Sequence, residues 1–256
     1  MATYKKKGSK SKSSRNKLEE LENKSATAGI INTLDDGASK TEEWVATNQK
    51  YIFIVIIFVA FLVLGYLGFN KIIQEPKESK ATNDMFQSQQ YFDKAVNGAS
   101  KDSLFTLALN GANGKYGFLD IADVYSGTKA GNLANYYAGI AYLNMKDYSN
   151  AVTYLNNFSS EDDVLGPISK GAIGDAFVQL EQLEDAYGYY VEAAKLKSNI
   201  YTTPMYLYKA GVIGLKIDKY NKALAFFNQI KLEFPDSAEA KDIDVFIGKA
   251  EAALNQ

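Results

Sequence analysis

The pattern of hydrophobic and polar residues along this chain changes abruptly at residues 51–69. This run, YIFIVIIFVAFLVLGYLGF, contains no charged residue and no Asn, Gln or Pro. At ~1.5 Å per residue, a helix of this length covers the ~30 Å hydrocarbon core of a bilayer. A buried core helix would show polar positions, and a cleaved signal peptide would have a shorter apolar stretch nearer the N-terminus. We therefore predict one uncleaved transmembrane helix at residues 51–69.

Beyond this run, apolar residues recur at helical spacing, which predicts an all-α protein. Residues 70–83 are polar and are interpreted as a linker. A helix is expected at 84–96, and two short apolar segments, 104–109 and 118–125, flank the turn-rich sequence NGANGKYG. Residues 84–131 are thus expected to form the N-terminal helices of a soluble domain.

An internal repeat occupies residues 132–236. Two sets of small residues recur at intervals of 35 and 37 residues: Gly139, Gly174 and Gly211, and Ala151, Ala186 and Ala223. Aromatic residues recur around both sets. This spacing predicts three pairs of antiparallel helices that need neighbours to bury their apolar faces. We expect Gly174 and Ala186 to face each other across the second pair.

The pattern resembles the tetratricopeptide repeat, whose unit is about 34 residues long. One departure is Gly214, where that family prefers a bulky residue. After the third copy, Asp236-Ser237 can cap a last helix at its N-terminus. Residues 237–256 are expected to form this capping helix, and their segment KDIDVFIGKAEAAL is half polar, which is typical of the helix that closes a solenoid. The expected architecture is one transmembrane helix followed by a solenoid of helix pairs.

The resemblance implies a concave groove lined by the first helix of each unit. Its positions in this sequence are Leu133, Tyr136, Ile140, Leu143, Ile168, Gly171, Asp175, Val178, Met205, Tyr208, Val212 and Leu215. Nearly all are apolar or aromatic, which favours a groove for an apolar helix or extended segment of another protein. Alternatively, the N-terminal helices of the chain itself cover these side chains. The carboxylate clamp of chaperone-binding relatives is absent, because Tyr136, Ile140 and Met205 occupy its positions.

Charge is distributed unevenly. Residues 1–17 carry seven basic groups and no acid, and residues 1–50 are predicted to be a disordered tail. Its basic run either attracts anionic lipid or ribosomal RNA, or is a solvated tail that fixes the orientation in the membrane. Residues 70–256 carry 23 acids and 18 bases, which argues against nucleic acid as the partner of the main domain.

The basic residues also predict the orientation of the chain. Ten Lys and Arg residues precede the apolar run, although those closest to it are balanced by Lys71, Lys77 and Lys80 on the other side. Long C-terminal domains cross a membrane largely regardless of their charge. We therefore expect a cytoplasmic N-terminus and a large domain on the opposite side.

The chain contains neither Cys nor His. Ser-His-Asp and Cys-His catalysis, HExxH metalloprotease sites and thiolate-zinc sites are therefore excluded. The acidic cluster Glu161-Asp162-Asp163 lies between two repeats, where a solvated turn is the simpler interpretation. We expect no catalytic residue, metal site or cofactor, and a protein that is not an enzyme.

A basic tail, one membrane span and an outward tetratricopeptide domain resemble a family of bacterial inner-membrane proteins. The segment GFLDIADVYSGTKAGNLANYYAGIAYLNMKDYSNAV and the residues Phe234-Pro235-Asp236-Ser237 carry this resemblance, in the form found in Bacteroidetes-type bacteria. The family is the ancillary subunit of the SecYEG translocon. The resemblance implies a periplasmic domain, contact with membrane lipid and SecYEG, and partnership with a membrane-anchored periplasmic chaperone of the peptidyl-prolyl isomerase type.

Two other functions have a similar build. One is a mitochondrial outer-membrane import receptor, against which the missing carboxylate clamp counts. The other is a scaffold in a different bacterial envelope assembly, which the sequence does not exclude.

The predicted orientation can be tested with a single cysteine in this cysteine-free chain. A membrane-impermeant thiol reagent should label the cysteine of the Ser100→Cys variant in cells whose outer envelope is permeabilised but whose inner membrane is intact. Labelling only after lysis of the inner membrane would reverse the orientation.

Overall fold

The computed structural model describes residues 26–98 and 101–255, with side chains from residue 42 onward. The chain divides into two compact units, Met1–Phe69 and Asn70–Gln256. Among the described residues there is no β-strand, only an isolated bridge between Ala112 and Lys115 in the turn-rich segment. The prediction of an all-α protein is confirmed.

The first unit contains helix α1, Ala26–Phe69. Within the described residues, one helix is long and apolar enough to cross a membrane, with a mean hydropathy of 2.9 over its most apolar window. No residue of that window is buried in the protein. An apolar surface of this size is covered by lipid or by another protein in a stable molecule.

Helix α1 also corrects the prediction that residues 1–50 are disordered. Its helical backbone begins at Ala26, while residues 1–25 lie outside the described part of the chain. Helix propagation adds one hydrogen bond for each residue fixed, whereas nucleation is costly. The apolar segment supplies the nucleus, so the preceding Ala- and Glu-containing sequence extends it.

The second unit begins with a π-helical turn, Asn70–Gln74, followed by α2, Glu75–Asn97. The predicted linker at 70–83 is therefore wrong, since Ala81 is fully buried in α2. The polar side chains of this segment bind the turn before the next long helix. The Gln74 amide donates to the Gly127 carbonyl at 2.8 Å, and the Lys77 ammonium donates to the Ser126 carbonyl at 3.0 Å.

Glu78 strengthens this attachment at the start of α5, Lys129–Asn144. Its carboxylate accepts hydrogen bonds from the amides of Lys129 and Ala130 at 2.6 and 2.9 Å. The first amides of a helix have no partner within the helix, and the helix dipole favours an anion there. A residue of the supposed linker thus caps the first repeat helix.

Helices α3, Lys101–Asn110, and α4, Phe118–Val124, complete the N-terminal part. They pack with α2 and α5 around a buried aromatic cluster. Phe92 meets Phe105 and Tyr137 edge-to-face at 5.5 and 5.0 Å, and Phe118 stacks on Tyr137 at 5.0 Å. This cluster joins the N-terminal helices to the first repeat.

Three helix pairs follow, as the repeat predicted. They are α5 with α6, Tyr148–Asn157; α7, Leu165–Gln179, with α8, Leu183–Leu196; and α9, Thr202–Lys216, with α10, Tyr220–Glu233. Within each pair the helices pack together, and each pair packs against the next.

The turns within the three pairs have the same conformation. Lys146, Glu181 and Asp218 adopt positive φ angles of 64°, 59° and 58°, and they are spaced by the same 35 and 37 residues as the glycines. The following residue donates its amide to a carbonyl five positions earlier, as in Asp147 to Tyr142 and Gln182 to Phe177. These bonds satisfy carbonyls at the end of each first helix. The repeat is therefore present in the backbone as well as in the sequence.

Each repeat glycine lies against one bulky side chain of its partner helix. A Cβ atom would lie 2.5 Å from Leu155 at Gly139, 2.6 Å from Tyr190 at Gly174 and 2.4 Å from Phe227 at Gly211. The closest side chain to Gly174 is thus Tyr190, one helical turn beyond the expected Ala186. Ala186 is itself fully buried.

The unit ends with a 3₁₀ turn, Ala238–Ala240, and helix α11, Ile243–Leu254. The last helix therefore begins later than the predicted boundary at residue 237. Neither Ser237 at the 3₁₀ turn nor Asp242 at α11 makes a side-chain capping bond. Ile243 and Ala250 are buried against α10, so packing rather than capping positions α11.

The glycine contact predicts opposite effects for two Gly→Ala changes in adjacent helices. In Gly174→Ala, the added methyl group overlaps the Tyr190 ring and should cost ~1–3 kcal/mol of unfolding free energy. In Gly188→Ala, no atom lies within 4 Å of the new Cβ. Its better helix propensity should add ~0.5–1 kcal/mol. Thermal unfolding of the full chain in detergent measures both, and equal melting temperatures would contradict the close contact.

A second prediction concerns alkaline pH. The Tyr125 hydroxyl donates to the Asp84 carboxylate, and this bond and burial raise the pKa of Tyr125 to about 12. Because the folded pKa lies above the ordinary value of 10, the stabilisation is complete below pH 10 and is lost towards pH 12. Tyr125→Phe should cost about 1 kcal/mol at neutral pH. The difference from wild type should shrink above pH 10, as denaturant unfolding at several pH values would show, and a constant difference would contradict this account.

Candidate partner-binding groove

The first helices of the three pairs form one continuous face. Helix α5 contacts α7, and α7 contacts α9, in addition to the contacts within and between successive pairs. Eleven of the twelve positions assigned to the groove are half-buried, and only Gly171 is fully buried. The face is therefore neither a sealed core nor a free surface.

The N-terminal helices occupy one end of this face. Helices α2, α3 and α4 pack against one another and against α5, the first helix of the first pair. The groove positions on α7 and α9, including Ile168, Val178 and Val212, keep part of their surface exposed. Of the two alternatives left by the sequence, an accessible groove fits this burial better than a groove filled by the N-terminal helices.

At the α5 end of the groove, the side chains pack strongly within the protein. Tyr136 lies 5.2 Å from the Phe158 ring and 5.9 Å from the Tyr137 ring, measured between centroids. Burial raises the pKa of Tyr136. Ile140 and Leu143 pack against the cluster that contains Leu155. These side chains support the fold and present only their outer surface to a partner.

In the middle of the groove, Gly171 leaves space for Tyr206. A Cβ atom at Gly171 would lie 2.0 Å from the Tyr206 ring, so α7 and α9 approach each other closely here. Tyr206 stacks on Tyr190 at 6.3 Å. Burial and the nearby Asp175 carboxylate raise the pKa of Tyr206. Burial, followed by the hydrogen bond to Asp175, raises the pKa of Tyr190 as well, so both phenols stay protonated beyond the pH at which a free phenol ionises.

Asp175 is the centre of a polar network that the sequence did not predict. Its Oδ1 atom accepts hydrogen bonds from the Tyr190 hydroxyl at 2.6 Å and the Lys209 ammonium at 2.7 Å. The ammonium also lies 5.4 Å from the Tyr190 ring centre. Lys209 follows Asp175 by 34 residues, close to one repeat period, and this spacing was a signal that could have linked them. The ion pair neutralises the only charged position of the predicted groove.

At the α9 end, the closing helix contributes to the groove. Tyr208 meets Phe246 of α11 edge-to-face at 4.9 Å. Burial, followed by the carboxylates of Asp242 and Glu239, raises the pKa of Tyr208. Met205, Val212 and Leu215 pack at the margin of the same apolar cluster. The groove thus continues beyond the three helix pairs, as far as α11.

The groove combines half-exposed apolar side chains with one ion pair. The half-exposed apolar side chains offer an apolar contact surface. The ion pair between Asp175 and Lys209 adds polar groups that can orient a bound segment, without adding net charge. Large aromatic side chains of this kind commonly dominate the binding energy of protein interfaces. The twelve predicted positions therefore lie along the first helices of the three pairs, and eleven of them keep part of their surface exposed.

Comparison of the chain with protein-family models, with curated proteins and with solved structures found no match.

Proposed function

We propose that this protein is a membrane-tethered, non-enzymatic protein-interaction module whose second unit is a tetratricopeptide-type solenoid. The observation that carries this proposal is the half-exposed face lined by the first helices of three successive helix pairs. Repeat solenoids use such faces to bind extended or helical segments. The apolar helix α1 supplies the tether.

The more specific proposal is an accessory subunit of the Sec translocon that helps to couple secreted proteins to a periplasmic chaperone. Its support is the resemblance carried by the segment before and within the first helix pair and by residues 234–237. In this proposal the N-terminus is cytoplasmic, the second unit is periplasmic, and SecYEG and a membrane-anchored chaperone of the peptidyl-prolyl isomerase type are partners. A scaffold or receptor in another membrane or envelope assembly is the alternative, and the same groove would serve it.

Variants that test binding in the groove must leave the protein folded. Changing Tyr136 or Tyr208 to Ser would also remove contacts with Phe158 or Phe246, so loss of binding would be ambiguous. Ile168 and Met205 occupy the same position in successive repeats and are half-buried. A lysine at these positions can keep its aliphatic stem on the protein while its charge reaches water.

We expect the double variant Ile168→Lys/Met205→Lys to keep its helical circular dichroism and lose most of its groove-bound chaperone. The interface would have to desolvate two new charges, and a loss of about 3 kcal/mol reduces binding more than a hundredfold. The full chain would be purified in mild detergent, and the chaperone quantified by mass spectrometry. SecYEG can be retained through α1, so its loss is not required.

The matched control places lysines on exposed apolar positions outside the groove. Leu232 on α10 and Val245 on α11 are 79% and 57% exposed. Leu232→Lys/Val245→Lys should keep the chaperone at the wild-type level. Wild-type recovery with the folded groove variant would show that the groove is not the docking surface. Recovery of a different envelope assembly, lost in the groove variant alone, would favour the alternative function.

A further inference from the structure

A separate cleft lies between two connections at the C-terminal end of the second unit. One connection joins α8 to α9, and the other joins α10 to α11. The cleft has a volume of about 480 Å³ and is lined by Ile200, Tyr201, Glu233, Phe234, Pro235, Asp236, Ser237, Ala238 and Glu239. This volume is within the ~300–1,000 Å³ typical of ligand-binding pockets. None of these residues belongs to the predicted groove.

Apolar side chains form one side of the cleft. Ile200 and Tyr201 are 69% and 72% exposed, although both are large. They are adjacent to Thr202 and Thr203, which are buried at the start of α9. Asn199 holds this connection in place, since its Oδ1 atom accepts from the amides of Tyr201 and Thr202 at 2.9 and 2.8 Å. The two exposed side chains therefore project from a fixed backbone.

Acidic side chains form the other side. Glu233, Asp236 and Glu239 line the cleft, and no Lys or Arg does. Among the described residues, none of these three acids forms an ion pair. Nearby lysines have other partners, since Lys231 binds Asp244 at 2.7 Å and Lys197 lies 3.8 Å from Asp163.

The negative charge extends around the 3₁₀ turn Ala238–Ala240. Ala238 and Glu239 also line an adjoining cavity of about 280 Å³, together with Tyr208, Asp242 and Phe246. Carboxylates on this turn and at the start of α11 contribute to the raised pKa of Tyr208. Lys241 and Lys249 are exposed nearby but line neither cavity.

The wall of the cleft also contains a polar group that folding leaves unsatisfied. The Ser237 hydroxyl is buried and has no hydrogen-bond partner among the described residues. A buried hydroxyl without a partner is unfavourable for stability. Exposed apolar residues, carboxylates without a basic partner and an unsatisfied hydroxyl thus occur together at one place.

We propose that this cleft is a second docking site, which binds a short segment of another protein whose apolar residues are flanked by Lys or Arg. Apolar side chains of the segment would cover Ile200, Tyr201 and Phe234, while its basic groups would pair with Glu233, Asp236 and Glu239. Charge complementarity favours this partner over an acidic segment or an anionic lipid surface, which the carboxylates would repel. The proposal uses none of the twelve predicted groove positions and does not depend on the translocon assignment.

The test uses the full chain in nanodiscs of neutral phosphatidylcholine. Three fluorescent peptides of equal length are compared by anisotropy: one in which lysines flank leucine and phenylalanine, one with glutamates in place of the lysines, and one with serines in place of the apolar residues. The first should bind at least about tenfold more tightly than the other two. Its binding should weaken with added salt, because exposed charges are screened.

Variants then locate the site. Asp236→Asn/Glu239→Gln and Tyr201→Ser should each weaken binding of the basic–apolar peptide by about tenfold or more. Glu184→Gln/Asp185→Asn, which removes two exposed acids at the start of α8, and Leu232→Ser are the controls and should bind as wild type does. Circular dichroism shows whether each variant keeps its helices.

Three results would overturn the proposal. The first is equal binding of the basic–apolar and acidic peptides, and the second is wild-type binding by the folded cleft variants. The third is self-association of the protein in nanodiscs without peptide, if the Tyr201→Ser change abolishes it. A second copy of the chain would then be the occupant of the cleft. The Ile168→Lys/Met205→Lys variant should bind the peptide normally, so failure of the groove proposal and failure of this one can be distinguished.

Discussion

The close contact between a glycine of each first helix and a bulky side chain of its partner helix determines the geometry of the folded unit. Because the glycine has no Cβ, the partner side chain can cross the helix pair and reach the next one. Tyr190, which lies on Gly174, stacks on Tyr206 of the following pair at 6.3 Å. Phe227 reaches Phe246 of α11 at 5.5 Å in the same way. One side chain therefore closes a pair and joins it to its neighbour.

The two ends of the stack are closed by different means, and this affects what the groove can do. At the start, α2 supplies Ala81 and Phe92 to the core, and Glu78 caps α5. At the end, α11 packs on α10 and brings Phe246 to the groove. The ends are covered while the face on α7 and α9 stays partly exposed. The apolar area on α7 and α9 thus stays exposed after both ends are covered. Exposed apolar area of this kind often marks a surface that binds another protein.

The sequence predicted the features that depend on periodicity and missed those that depend on pairing between distant polar residues. The intervals of 35 and 37 residues gave the three helix pairs and the equivalent positions of their turns. Polar composition cannot distinguish a solvated linker from a helix whose polar groups bind another segment, and residues 70–83 are the second case. Glu78 caps α5 only because the fold brings the amide of Lys129 next to its carboxylate. The pairing of Lys209 with Asp175 likewise depends on the packing of α9 against α7, and in the sequence only their spacing of 34 residues points to it.

The two candidate binding surfaces differ in whether their carboxylates are paired with a basic residue. In the groove, Asp175 and Lys209 neutralise each other and Tyr190 uses the same carboxylate oxygen, so selectivity there must come from apolar shape. In the cleft, the carboxylates have no basic partner among the described residues, so a basic segment gains both orientation and association rate. Both surfaces lie in the same folded unit. A partner whose apolar segment and basic segment lie on one chain could therefore bind the second site at a high effective concentration after the first, and its avidity would exceed either affinity. Two sites of different chemistry would then select such a partner more strictly than either site alone.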